Sequence, residues 1–366
     1  MKVISQNFIY ENPLPQLRSR QAFFPWLCEK ADGEILAAFA IGEAFESVDS
    51  TGVICTSRDG GKSWSAPRRI FDLHGDEERL TDYCKVTALP DGRLAALGYA
   101  FLRDDPTLPI GNPANGGLLD DFIFFSISED GGKTWGEMQK IDCKWGPHAE
   151  ASAPLTVLKD GTWITPITGF PDWEGRMHGA VCGRALVSRD QGKSWSDDAV
   201  CMDFDGKVTC FEQRMCQLDS GAILCIGWNE NLETGERMEN HYTVSYDNGK
   251  TWSAPLPTGV RGQAASLCAL GGEKFLALHA VRRDTDRPGI YAYVVDFSEK
   301  CWHVLEECVV FEPGVPVVKD GKMAEIFSFL KFGQPGAILL SDGDVLMSHW
   351  FAQDGQYKTV ATRIRL

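Results

Sequence analysis

The sequence predicts an all-β chain folded as a six-bladed β-propeller of four-stranded antiparallel blades, with the ring closed by the N-terminal strand. Two repeats running in antiphase and the length of the chain predict it. The first repeat is the pattern SxDxGxxW, found as SRDGGKSW (Ser57 to Trp64), SEDGGKTW (Ser128 to Trp135), SRDQGKSW (Ser188 to Trp195) and SYDNGKTW (Ser245 to Trp252). The second is a set of six hairpin turns of the DG type between apolar runs. Their glycines are Gly33, Gly92, Gly161, Gly221, Gly272 and Gly343, spaced 51 to 71 residues apart. Units averaging 62 residues fill the 366-residue chain six times.

Each element follows from its residues. In the box, a short Asp or Ser side chain bonds the turn's own backbone, Gly accepts positive φ, and Trp covers the hairpin base. One unit therefore reads strand, DG turn, strand, longer loop, strand, box turn, strand, which is one propeller blade. In units one to four the box Trp follows the turn glycine by 31, 43, 34 and 31 residues. Unit five keeps only the tryptophan of its box, Trp302 in VDFSEKCW, and unit six runs out of chain before a box. Its missing strand is expected from Val3 to Tyr10, which would pair the two chain ends and remove the open sheet edges.

The repeat runs from end to end, so residues 1–366 are read as one domain. The net charge of −15 argues against nucleic-acid and anionic-membrane partners. The N-terminus lacks the apolar core and cleavage site of a signal peptide, and no run approaches a membrane span. The 12 cysteines form no CxxC pair, with Cys28, Cys84, Cys216, Cys225 and Cys268 inside expected strands. Buried free thiols in a cytoplasmic protein are the expectation. The histidines are too dispersed for a metal site, and no glycine-rich loop opens a helix to hold phosphate, so no metal and no cofactor is expected. The oligomeric state is left open.

With both kinds of turn on one face of the ring, the loops between second and third strands and the links between blades share the other, where function on such folds gathers. That face offers Asp49 and Glu46 from blade one, Tyr83 and Lys85 entering blade two, and His178 in the loop GFPDWEGRMHGAV of blade three. Blade four enters through VTCFEQRMCQL, which sets Glu212 and Arg214 two apart on one face of an inner strand; the basic loop of blade five carries Arg287. Carboxylates, guanidiniums and aromatics such as Trp26 and Trp228 converging on one concavity suit a carbohydrate, the expected partner.

The four boxes and six hairpins resemble those of the sialidase superfamily, and the resemblance covers nearly the whole chain. It implies a six-bladed propeller whose site lies opposite the boxes. The family's glutamate in the fourth blade is matched by Glu212 in EQRMCQLDSG, and the third arginine of its carboxylate clamp by Arg287 in DRPGIYAY. The first arginine's place in the segment AFFPWL is held by Phe23, and the second's by Trp228. The place of the nucleophilic tyrosine is held by Gln334, while Asp49, or next to it Glu46, is the nearest match to the proton donor.

The expectation is accordingly a sialidase-like glycoside hydrolase acting on a glycan other than sialic acid itself, with Glu212 and Asp49 moving protons. Arg287, Arg214, Trp228, Trp26, Tyr83, Lys85, His178 and Gln334 are its expected substrate contacts. Two alternatives stand beside it: a non-catalytic sugar-binding propeller and a uronate lyase using Tyr83 and Lys85.

Overall fold

In a computed structural model of the chain, which describes residues 1–71, 79–283, 285–314 and 330–366, strands β1 to β25 form six antiparallel sheets. The chain opens with β1 (Lys2–Tyr10). Blade one is β2 (Gln21–Glu29), β3 (Ile35–Gly42), β4 (Thr51–Ser57) and β5 (Arg68–Arg69). Blade two is β6 (Leu80–Ala88), β7 (Leu94–Leu102), β8 (Asp121–Ser128) and β9 (Gln139–Ile141). Blade three begins with two short pieces, β10 (Ala149–Glu150) and β11 (Thr156–Val157). Both pair with β12 (Trp163–Gly169), which is followed by β13 (Cys182–Ser188) and β14 (Ser196–Asp203). Blade four is β15 (Phe211–Gln217), β16 (Ile223–Trp228), β17 (His241–Ser245) and β18 (Leu256–Pro257). Blade five is β19 (Ala265–Gly271), β20 (Lys274–Val281), β21 (Gly289–Asp296) and β22 (His303–Phe311). Blade six is β23 (Phe332–Leu339), β24 (Val345–Gln353) and β25 (Gln356–Arg365), completed by β1 as its outer strand.

The six blades and the closing role of the N-terminal strand are as the sequence predicts. Lys2 sits opposite Arg365 and Tyr10 opposite Thr359, so the ring is fastened by its two ends. The middle strands are buried on both faces by neighbouring blades, which explains continuous apolar runs such as ILAAFAIG in β3, whose residues are nearly all buried. The core lies between blades. Leu97 and Phe125 of blade two meet Trp163 and Leu186 of blade three, and Leu224 and Tyr242 of blade four meet Phe275 and Val295 of blade five. Each such side chain contributes about 1.5–3 kcal/mol on full burial.

The four boxes share the hydrogen bonds of their serine and aspartate, and the first and fourth add a bond from the tryptophan indole. Asp59 accepts on Oδ1 from the Ser57 hydroxyl (2.8 Å), Lys62 N (3.0 Å) and Ser63 N (2.9 Å), and on Oδ2 from the Ser63 hydroxyl (2.6 Å). Gly61 N donates to Ser57 Oγ at 2.9 Å and the Trp64 indole to Gly61 O at 3.2 Å, closing the turn from both sides. All twelve cysteines are free thiols, most of them buried. Among the described residues no helix is long and apolar enough to cross a membrane.

Candidate functional site

Two positions in each blade converge on the axis, in five of the blades at fixed distances ahead of the DG glycine. Nine residues ahead stand Phe24, Tyr83, Ser152, Glu212 and Gln334; seven ahead stand Trp26, Lys85, Pro154, Arg214 and Gly336. In blade five the tighter hairpin between Gly271 and Lys274 shifts the register by one residue, so that Ala264, with φ of 61°, and Ser266 take these places. In blades one, four and six the first of these positions is a bulge. The pairing register skips between Phe23 and Trp26, Phe211 and Arg214, and Gly333 and Gly336. At these bulges Phe24, Glu212 and Gln334 adopt φ of 58°, 45° and 45°, a left-handed conformation that side chains disfavour. A bulge re-aims a side chain out of the sheet's alternation. Glu212 and Arg214, expected on one face of the inner strand, both reach the axis, though through a bulge and not by simple alternation. The bulge interrupts the alternation, and Gln213 turns between the blades, where its Oε1 accepts from the Cys201 thiol at 3.4 Å and the Cys225 thiol at 3.5 Å.

Glu212 holds the middle of the site. Its Oε2 accepts the Trp228 indole N–H at 2.8 Å, and its Oε1 accepts from the Gln334 amide of blade six. Its own backbone N–H donates to Glu150 Oε2 of blade three at 3.2 Å. Glu150 also accepts from the Ser152 hydroxyl, which in turn accepts from Arg214 Nη1 at 3.1 Å. Lys85 reaches back to the neighbouring blade in the same manner, its ammonium donating to Phe24 O. Arg282, just past the end of β20, is buried and donates to Phe332 O at 3.2 Å and to Gln263 O at 3.1 Å.

Burial dominates the electrostatics. It lifts the Glu150 carboxyl to about 7, with the Glu212 charge adding in the same direction. It pushes the Lys85 ammonium down to about 7, helped by the nearby Arg214 charge, and Arg282 down to about 10. An acid and an amine, each within the field of Glu212 and Arg214, are thus both poised near neutrality. A crevice of 20 Å³ lies among Phe24, Tyr83, Lys85, Tyr99, Ser152 and Gln334, about the room of one water molecule. Beside Trp228 a smaller niche is lined by Arg237, Arg261, Arg282 and Arg283 with Asn229 and Gln263.

Of the residues singled out in the sequence, the fold brings Glu212, Arg214, Trp228, Lys85, Tyr83 and Gln334 to the axis. Trp26 lies alongside them, packed so tightly on Gly336 that a Cβ there would fall 2.5 Å from its ring. Tyr83 is buried with its hydroxyl toward Phe45 O at 3.4 Å. Three residues have their partners elsewhere. Asp49 caps its own loop, accepting from Glu43 N and Arg20 Nη1, both at 2.9 Å. Arg287 is exposed and pairs with Glu312 at 2.7 Å. His178 bonds Asp172 at 2.7 Å and stacks on His148 with ring centres 5.1 Å apart. Phe23, in the place of an arginine, is fully buried among Phe45, Tyr357 and Trp350.

The sequence reading assigns no role to Glu150, Ser152 or Arg282. For Ser152 the signal was present, since counting nine back from every turn glycine reaches it as it reaches Glu212. Glu150 stands eleven back, in an inner strand broken between β10 and β11, where strand counting loses its footing. Among the described residues no group of histidine, cysteine or carboxylate side chains could hold a metal ion.

Residues 111–311 match the family model of a BNR repeat-like domain. Among solved structures the chain is similar to a protein of unknown function from Dyadobacter fermentans DSM 18053, at 21% identity over 100% of this chain and 99% of that one, with a TM-score of 0.74. It is also similar to the intramolecular trans-sialidase from Ruminococcus gnavus, at 12% identity over 94% of each chain and a TM-score of 0.67. The NanB sialidase from Streptococcus pneumoniae matches at 11% identity over 98% of this chain and 70% of that one, with a TM-score of 0.69. At such identities the likeness is one of fold. No curated protein matches the sequence.

Proposed function

The chain belongs to the BNR repeat-like domain family, and from that premise we propose that it is a glycoside hydrolase acting on an acidic glycan other than a sialoside. One observation carries the reading: two glutamates from adjacent blades meet at the axis, Glu212 N–H on the Glu150 carboxyl, in different electrostatic settings. Glycoside hydrolysis needs one carboxyl that carries a proton to the departing oxygen and another that accepts one from water or stabilises positive charge at the anomeric carbon. Glu150, held protonated to about pH 7, suits the first task. Glu212, with both oxygens already accepting hydrogen bonds, suits the second. The arginine-lined niche next to Trp228 suits the acidic group of the sugar. Phe23 and Gln334 offer neither a guanidinium nor a phenol, which argues against sialic acid.

The test is hydrolysis across aryl glycosides and acidic oligosaccharides, followed by Glu212→Gln and Glu150→Gln. Each variant is expected to lose about 10²–10⁴-fold in kcat/KM, and wild-type activity to decline as pH rises through about 7, where Glu150 gives up its proton. A rate unchanged in either variant removes that residue from the mechanism. A second reading, sugar binding without turnover, is favoured by the satisfied Glu212 carboxylate and the 20 Å³ crevice beside it. Binding on a glycan array with no released product would select it.

A further inference from the structure

A larger cavity lies off the axis. On the loop-rich face a cleft of 520 Å³ runs between the blade-one loop at residues 44–48 and the blade-two loop at residues 103–118, with Tyr357 of blade six at its side. Its volume falls within the range of small-ligand sites, about 300–1,000 Å³. Both walls are held in place by buried groups. Arg103, 1% exposed, donates to Glu46 O at 3.0 Å on one wall and to Leu108 O at 2.8 Å on the other, stapling them together. The Glu46 carboxyl, half-buried, accepts the backbone N–H groups of Gly111 and Ile110 across the cleft. Asn112 Nδ2 ties the outer wall to Trp173 O of blade three at 2.9 Å. A cavity whose walls are cross-linked before anything binds is preorganised for a ligand.

We propose that this cleft is a second saccharide site, taking an uncharged sugar residue of the same glycan one position removed from the residue held at the axis. The proposal rests on the glycosidase reading above. Two observations choose the ligand. The cleft's lining carries one guanidinium, Arg103, and one carboxyl, Glu46, whose charges attract and offset each other, so the cleft has no net charge to draw an ionic ligand. The cavity is lined by apolar surface from Phe45, Leu108 and Pro109 and by Ser47 and Thr107, whose hydroxyls donate within their own loops to Ala44 O and Asp105 Oδ1 and keep lone pairs to accept from sugar hydroxyls, the mixture that pyranose faces require. Proximity chooses the position. Phe45 forms one wall of the cleft and packs at 5.4 Å on Phe24, which lines the central crevice, while the Tyr83 hydroxyl faces Phe45 O. One aromatic partition separates the two cavities.

The test reads binding, not turnover. Lactose, cellobiose, maltose and N-acetyllactosamine are titrated against the full chain, its Glu212→Gln variant, and two variants that fill the cleft from opposite walls, Val48→Trp and Leu108→Trp. At least one disaccharide is expected to bind wild type and Glu212→Gln alike and to weaken about ten-fold or more in both filled variants. Agreement of two variants on separate loops, with wild-type melting curves, excludes a folding fault. Binding by none of the four sugars overturns the proposal, as does binding that survives both tryptophans or that depends on Glu212 alone. Because no catalytic step is read, failure of the hydrolase reading would show as absent turnover with cleft binding intact.

Discussion

Two histidines at the heart of blades five and six make the fold sensitive to acid. His279 on β20 and His349 on β24 are fully buried, and neither ring nitrogen of either has a hydrogen-bond partner among the described residues. Their surroundings are aromatic: His279 meets Tyr293 edge-on at 5.5 Å, and His349 lies 4.2 Å from Phe311. Burial pushes both imidazoles down to about 3. A histidine that stays neutral in the fold but takes a proton near pH 6.5 when unfolded leaves stability intact above 6.5. Below that pH it costs about 1.4 kcal/mol per pH unit. Between pH 8 and pH 5 each histidine thus removes about 2 kcal/mol and the pair about 4, against a total of about 5–15 for an ordinary domain. His279→Leu/His349→Leu leaves no partner stranded among the described residues, because neither ring has one there. Urea unfolding of wild type and double variant at pH 8 and pH 5 is the assay. Glu150 titrates in the same window with opposite sign, gaining stability toward acid, but it is common to both proteins and drops out of their difference. The gap between variant and wild type is expected to move by about 4 kcal/mol in the variant's favour on acidification. An equal pH dependence in the two proteins would refute the reasoning and place the titration elsewhere.

Two further outcomes follow from the scaffold. Removing residues 1–10 strips β25 of the strand it pairs with from Thr359 to Arg365, so the truncated chain is expected to lose its cooperative melt and to associate through the bared edge; an unchanged melting temperature would deny β1 its closing role. Asp59→Ala removes the acceptor of four hydrogen bonds in the first box and is expected to lower the urea midpoint by about 1–2 kcal/mol of stability. The Ser63 hydroxyl and amide bonds hold Asp59 down to about 2, so the wild type's advantage should persist at pH 5 and fade as pH falls through about 2.

The propeller was legible because its information is local and repeated. A DG turn and a box each encode one hairpin within eight or so residues, and six copies at near-constant spacing leave a closed ring as the way to bury both faces of every blade. The same repeat located the axis, since Glu212 and Gln334 stand nine residues ahead of their turn glycines, and both reach it. Contact across blades was not legible, because it joins residues 62 or 122 positions apart through bulges that no local pattern announces. The meeting of Glu212 with Glu150 and with Gln334 is of this kind. Charge placement misled for the same reason: Arg287 matches a pattern but is exposed and paired to Glu312, while Arg282, five residues earlier, is buried near Glu212. Strand and turn are written in neighbouring side chains; which carboxyl is shielded from water, and so holds its proton, is settled only when separate blades close around it.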